Sequence, residues 1–258
     1  MIKKIIDNVY LKKRTLKKVI AQFKYVTDKN NLLSSIIAND SKIKNKKILV
    51  VAPHPDDEIF GCGGTIKKLS KQNHITCIYM TSGGPTLQKM EYPSPEIIEK
   101  EALKASEIIG INKTIFVKLE NSKITFKKND KKTMKKINKI IIEIKPNIII
   151  LPAFLENHLD HSATTQLIIN SYLENYEAWF YGVHTPISLP THIIDITKQI
   201  NVKMNALQAY KKTLLKDPMP KAIISLNNYY GLTKIGKGWA EPFIIMNSTR
   251  ARELIKRI

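Results

Sequence analysis

Two short stretches combine imidazoles with carboxylates at spacings that suit one divalent cation. The first is His54-Pro55-Asp56-Asp57-Glu58 and the second is Glu156-Asn157-His158-Leu159-Asp160-His161. Acids crowded together are unfavourable unless they meet cations or hydrogen-bond donors, and a divalent metal meets that need. In a turn entering a helix, residues three apart can face the same way. His54 and Asp57 can therefore hold one ion while Asp56 points toward a water. Two His and one Asp with open positions suit a catalytic zinc better than a structural one, which takes four protein ligands and often Cys. Such an ion acidifies water for attack. Asp56 is then the natural general base, and the remaining His can protonate a leaving group or stabilise an oxyanion.

Both stretches follow apolar runs, so the elements around them decide whether they meet. From Lys47 onward short β-branched runs alternate with helical patterns. Lys47 to Ala52 reads as strand one, Gly63 to Lys71 as a helix and Ile75 to Met80 as strand two. Pro95 to Ile109 reads as a helix with Ser94 as N-cap, Pro95 in its first turn and Gly110 beyond its end. Thr114 to Lys118 is strand three, Lys131 to Ile144 a helix stopped before Pro146, and Asn147 to Leu151 strand four. This pattern predicts an α/β fold, a doubly wound, mostly parallel, Rossmann-like sheet. In the common order 3-2-1-4, strands one and four are neighbours and ligands bind beyond their carboxyl ends, which brings the two stretches together. After Tyr176 the pattern is less regular, with strands expected at Ala178 to Val183 and His192 to Ile196 and a helix at Ile200 to Leu215. Asp217-Pro218-Met219-Pro220 and Gly236-Lys237-Gly238 read as loops that wrap back over the active face.

The 258 residues fit one domain with an appendage, divided as 1–46 and 47–258. Residues 1 to 47 hold 13 Lys or Arg and three Asp, half of the net charge of +20. Ile2, Ile5, Ile6, Val9, Leu16, Val19, Ile20, Phe23 and Val26 recur there at helical spacing, which predicts a basic amphipathic helix. It is expected to pack on the domain or on a second subunit, with an anionic membrane surface as the other partner for residues 1–30. Nucleic acid is not expected, because 38 of the 42 basic residues are Lys and only four are the Arg that reads base edges and phosphates. The longest apolar run, Ile148 to Leu155, falls short of the roughly 18 residues of a membrane span. With no secretory leader pattern and two cysteines, Cys62 and Cys77, read as reduced thiols, a cytoplasmic location is expected, peripheral to the membrane if the helix docks there.

The chain resembles the PIG-L or LmbE-like family of zinc-dependent deacetylases. The resemblance rests on Ala52-Pro53-His54-Pro55-Asp56-Asp57-Glu58 and His158-Leu159-Asp160-His161, supported by Thr81-Ser82-Gly83-Gly84, Asp195-Ile196-Thr197, Lys203 with Ala206-Leu207 and Tyr210, and Ala240-Glu241-Pro242-Phe243. It covers about Lys46 to Met246 and leaves out the basic helix. It implies that His54, Asp57 and His161 bind Zn²⁺, with Fe²⁺ or Co²⁺ as alternatives. It also implies that Asp56 is the general base, that His158 acts as acid or oxyanion stabiliser, and that Asp160 orients His158. The implied reaction removes an acetyl group from the nitrogen of an amino sugar, commonly N-acetylglucosamine in a glycoconjugate. One departure concerns the substrate: Ile98 stands where many members carry a sugar-contacting Arg.

Rival readings use the same residues or other ones. A metal-dependent esterase or another amidase would need no different ligand set, and an anionic-surface binding module would rest on the charge alone. Gly61-Cys62-Gly63-Gly64 resembles a dinucleotide or methyltransferase loop, but polar metal-type residues separate it from its strand. Gly83 and Gly84 are expected to line the substrate pocket, with a tight turn as the equal alternative, and Glu241 to approach the substrate. His74 and His192 read as surface or core residues. His184, after the run Trp179 to Val183, is placed on the active face but not as a ligand.

Overall fold

The computed structural model describes residues 36–37, 43–84, 92–126 and 131–256. The amphipathic helix expected within residues 1–46 lies outside the described residues. The sheet has eight strands among those described: β1 (Ile36–Ile37), β2 (Lys47–Ala52), β3 (His74–Thr81), β4 (Lys113–Leu119), β5 (Ile148–Pro152), β6 (Glu177–Tyr181), β7 (His192–Asp195) and β8 (Ala240–Asn247). Their order is β1-β7-β8-β6-β5-β2-β3-β4. The run β4-β3-β2-β5 is the 3-2-1-4 order expected from strand counting, and all of its pairings are parallel. Only β8 runs antiparallel, to both β6 and β7.

Helices cover both faces because the central strands are apolar on both. On one face Ile48, Val50 and Ala52 of β2 pack with Tyr79 of β3 and with residues of α1 (Asp57–Leu69), α2 (Pro95–Ile109) and α5 (Ile200–Ala209). On the other, Leu49 and Val51 pack with Ile149 and Leu151 of β5, and with α3 (Lys131–Ile144) and α4 (Leu159–Ile169). The ends of α2 match the expected signals, with Gly110 in the left-handed region at φ 88°. Ser94 adopts the N-cap backbone but makes no side-chain bond to the helix backbone; its hydroxyl pairs with Glu96 instead.

Several boundaries differ from the sequence expectations. Helix α1 starts at Asp57, not Gly63, and is broken at Cys62, where the backbone leaves helical space at φ −150°, ψ 19°. Gly61 and Gly64 occupy that break because a Cβ on Gly61 would stand 2.1 Å from the Tyr181 ring, and one on Gly64 would stand 2.8 Å from Ile196. Helix α5 ends at Ala209 rather than Leu215, since the Glu101 carboxylate accepts the Lys212 and Thr213 amides and the Thr213 hydroxyl and draws the chain aside. The expected loop at 217–220 becomes the start of α6 (Met219–Tyr230), with Pro220 in the first turn, where a missing N–H costs nothing. A π-turn, Gly231–Ile235, carries α6 into the expected glycine loop before β8. α7 (Ser248–Ile255) closes the described chain.

Candidate metal centre and active site

The early stretch is the turn between β2 and α1. The Asp57 carboxylate folds back over it, its Oδ2 accepting the His54 backbone N–H at 2.9 Å and lying 3.1 Å from His54 Nδ1. Asp56 stands at the helix N-cap with φ 117°, a strained conformation for a residue with a side chain. The strain is held by its carbonyl, which accepts the Ile59 and Phe60 amides at 2.9 Å, and by its own N–H, which donates to Glu58 Oε2 at 3.1 Å. Glu58 is itself buried and anchored by the hydroxyls of Tyr79 (2.8 Å) and Tyr210 (3.1 Å). Burial lifts its carboxyl to about 7 despite the Tyr79 hydrogen bond.

The late stretch leads from β5 into α4. His158 is the N-cap of α4, and its Nδ1 accepts the Asp160 amide at 3.2 Å. His161, one turn in, is fully buried, with Nε2 3.1 Å from Asp57 Oδ2 and Nδ1 3.4 Å from Glu156 Oε2. Neither contact has hydrogen-bond geometry, so both ring nitrogens are buried without a bonding partner. Such a ring is under-satisfied as a proton donor and well suited as a metal ligand. The His54 ring lies 5.0 Å from that of His158 and 5.4 Å from that of His161, centroid to centroid. Strands β2 and β5 are adjacent, so the two loops converge at the switch point of the sheet.

Two groups of donors fall within 4.8 Å of one another: His54, His158 and His161, and Asp57, His161 and His184. Asp57 Oδ2 links them, standing 3.1 Å from a nitrogen of both His54 and His161. Burial disfavours both imidazolium cations, but Asp160 and Asp57 beside His54, and Asp57 and Glu156 beside His161, raise each to about 9. The same negative charge would favour a dication in place of those protons. Asp57 is held well below the usual carboxylate range, burial notwithstanding, by the two imidazoles. Asp56 is pushed well above it by burial and by the Asp57 and Glu58 carboxylates. The donor set of imidazole and carboxylate fits Zn²⁺ and the related first-row dications.

Residues 49–172, which contain both stretches, match the family model for PIG-L, described as GlcNAc-PI de-N-acetylase. That segment of the chain is similar to the PIG-L family. It is 25% identical over 198 residues to the diacetylchitobiose deacetylase of Thermococcus kodakarensis, covering 67% of this chain and 72% of the relative. It is 28% identical over 187 residues to a probable N-acetyl-alpha-D-glucosaminyl L-malate deacetylase 2 of Bacillus anthracis, covering 65% and 82%. The N,N'-diacetylchitobiose deacetylase of Pyrococcus horikoshii shares its fold, with a TM-score of 0.71 at 22% identity over 88% of this chain and 92% of that one.

The geometry gives two residues partners other than those expected. The Asp160 carboxylate serves His54, not His158: Oδ2 lies 3.0 Å from His54 Nε2 and accepts the Ser122 amide at 2.8 Å, while Oδ1 accepts the Ile124 amide at 3.1 Å. Only its backbone N–H reaches His158. Glu241 is engaged in the core. It is fully buried on β8, and its two oxygens are taken by the Gly64 amide (3.0 Å), the Thr65 amide (2.7 Å) and Lys203 Nζ (2.7 Å). Gly83 and Gly84, at φ 70° and 142°, form the turn after β3; a Cβ on Gly83 would lie 3.9 Å from Pro55, and Gly84 O accepts the Asn121 amide. Ile98 is buried behind Gly83 and presents no polar contact.

Sequence reasoning gave no role to three residues that the fold brings to the site. Glu156 accepts the amides of Val183 (2.7 Å), His184 (3.2 Å) and Thr185 (3.0 Å), and so ties the segment after β6 to His161. Tyr92 and Asp217 come from distant loops. The Tyr92 phenol is pushed up by burial and by the Asp56 and Asp217 carboxylates nearby. No local pattern announces Tyr92, whereas Asp217 opens the segment expected to wrap back over the active face.

Proposed function

We propose that this chain is a metal-dependent hydrolase that removes the N-acetyl group from an amino sugar or sugar conjugate. The observation that carries it is the buried, bond-free His161 ring facing Asp57 and His54 at the switch point of a PIG-L domain. Relatives named as deacetylases of diacetylchitobiose and of N-acetylglucosaminyl malate support the amide and the amino sugar. His54, Asp57 and His161 would hold Zn²⁺, or Fe²⁺ or Co²⁺, and the bound ion would supply Lewis acidity for the amide carbonyl and the attacking water.

The protein groups supply the proton traffic. Asp56 takes a proton from water as its oxygen attacks the carbonyl carbon. His158, whose Nδ1 accepts the Asp160 amide, carries its proton on Nε2 and can donate a hydrogen bond to the oxyanion. Burial and the neighbouring imidazoles lower His158 to about 4, so the ring is neutral near pH 7 and acts as a donor without charge. When the C–N bond breaks, the proton held on Asp56 passes to the departing nitrogen, giving acetate and a free amine. With Ile98 buried and apolar, the sugar must be held by other groups.

The test is acetate release by the metal-loaded protein across N-acetyl sugars, including lipid- and nucleotide-linked ones. Asp56→Ala is expected to abolish release while leaving the thermal melt unchanged. Full activity in that variant would falsify the mechanism.

A further inference from the structure

The donor set is one imidazole larger than the mechanism uses. His184 sits between β6 and β7, beyond the segment that matches the PIG-L family. Its donor atom lies within 4.8 Å of those of Asp57 and His161. Its ring centroid is 5.0 Å from that of His161 and 5.3 Å from that of His158, against which it stacks at 24°. Ligands about 2.0–2.1 Å from a tetrahedral zinc stand about 3.3 Å from one another, so a closure of roughly an ångström or so gives His184 a place in the same shell.

Two features distinguish it from a surface histidine. Its segment is fixed from below, because Glu156 accepts three consecutive amides, Val183 to Thr185, and the same carboxylate lies 3.4 Å from His161 Nδ1. The side chain above that anchor is exposed, so it can swing away without opening the core.

We propose that His184 is an exchangeable fourth ligand, which fills the open coordination position when no amide is bound and yields it to the substrate. This rests on the metal-dependent reading of the site. It explains how three protein ligands can hold an ion firmly between turnovers and still leave a position for chemistry.

Metal binding, rather than activity, tests it. The full-length chain, stripped with a chelator, is titrated with Zn²⁺ against a chromophoric competitor and with Co²⁺ by visible absorption. His184→Ala and His184→Gln should each raise the zinc dissociation constant about tenfold or more, the least expected even for an outer partner of a metal site. Both should also shift the visible cobalt bands as a nitrogen ligand is lost. Unchanged affinity and unchanged cobalt spectra in both variants overturn the proposal, and if His54→Ala abolishes binding in the same assay, the metal reading survives alone. A wild-type chain that binds neither ion overturns both.

Discussion

His158 is held by a single backbone contact, the Asp160 N–H on Nδ1, and that contact decides which of its two expected roles it can fill. A neutral ring protonated at Nε2 is an oxyanion donor; protonating an amine would require the imidazolium, which burial and three neighbouring imidazoles oppose. His158→Ala should therefore lower kcat by roughly 10²–10³ with little change in KM, as loss of one oxyanion donor does. The loss should persist on an activated anilide, whose leaving group needs no proton. Recovery on that substrate would assign His158 as the acid instead. The residues that make this argument possible were legible as types at strand ends: His54, Asp57, His158 and His161 stand within a few positions of apolar runs. Their partners were not. That Asp160 serves His54, or that Glu156 pins the segment carrying His184, depends on loops brought together from opposite ends of the chain, and no local spacing encodes it.

At the level of elements, the helix that presents Asp57 is broken five residues in, and a buried ion pair bridges the break. The Phe60 carbonyl, at the end of the first half, accepts Lys203 Nζ at 2.9 Å; the Gly64 and Thr65 amides, at the start of the second, donate to Glu241. Lys203 also donates to Asn227 of α6, so α1, α5, α6 and β8 meet at one charged pair. Removing one partner leaves the other charge uncompensated. Glu241→Ala should cost about 3–5 kcal/mol of stability, read as a lower urea midpoint at unchanged slope. The neutral pair Lys203→Met with Glu241→Gln should cost less than the single change. A Glu241→Ala loss below about 1 kcal/mol would show that the pair is not needed to hold the break. Most parallel strands were readable because short β-branched runs buried on both faces have few other solutions. Strand β8 was not, because Glu241 and Pro242 are residue types that strands avoid. Helix α4 escaped for the opposite reason: nearly every residue from Asp160 to Ile169 is buried, so no apolar stripe marks it.

Across the whole molecule, the site is a place where folding concentrates charge that repels itself. Asp56, Asp57 and Glu58 are consecutive, Asp217 lies within their field, and four imidazoles stand with neighbouring centroids about 5 Å apart. The groups come from four separate connections, those after β2, β5, β6 and β7, which the unfolded chain scatters. An ion that binds only this assembled set stabilises the fold by mass action, by about 4 kcal/mol when present at a thousand times its dissociation constant. For a chain of this size about 1 kcal/mol moves Tm by roughly 2–4 °C, so zinc should raise the melt of the chelator-stripped protein by roughly 10 °C. His161→Ala removes the proposed ligand that lies against Asp57 and Glu156 and should abolish that rise. A rise of equal size in His161→Ala would place the stabilising ion elsewhere on the surface, and the lysine-rich composition offers few carboxylate clusters to receive it. The strand order that joins the two loops also concentrates the charge that a bound ion would relieve.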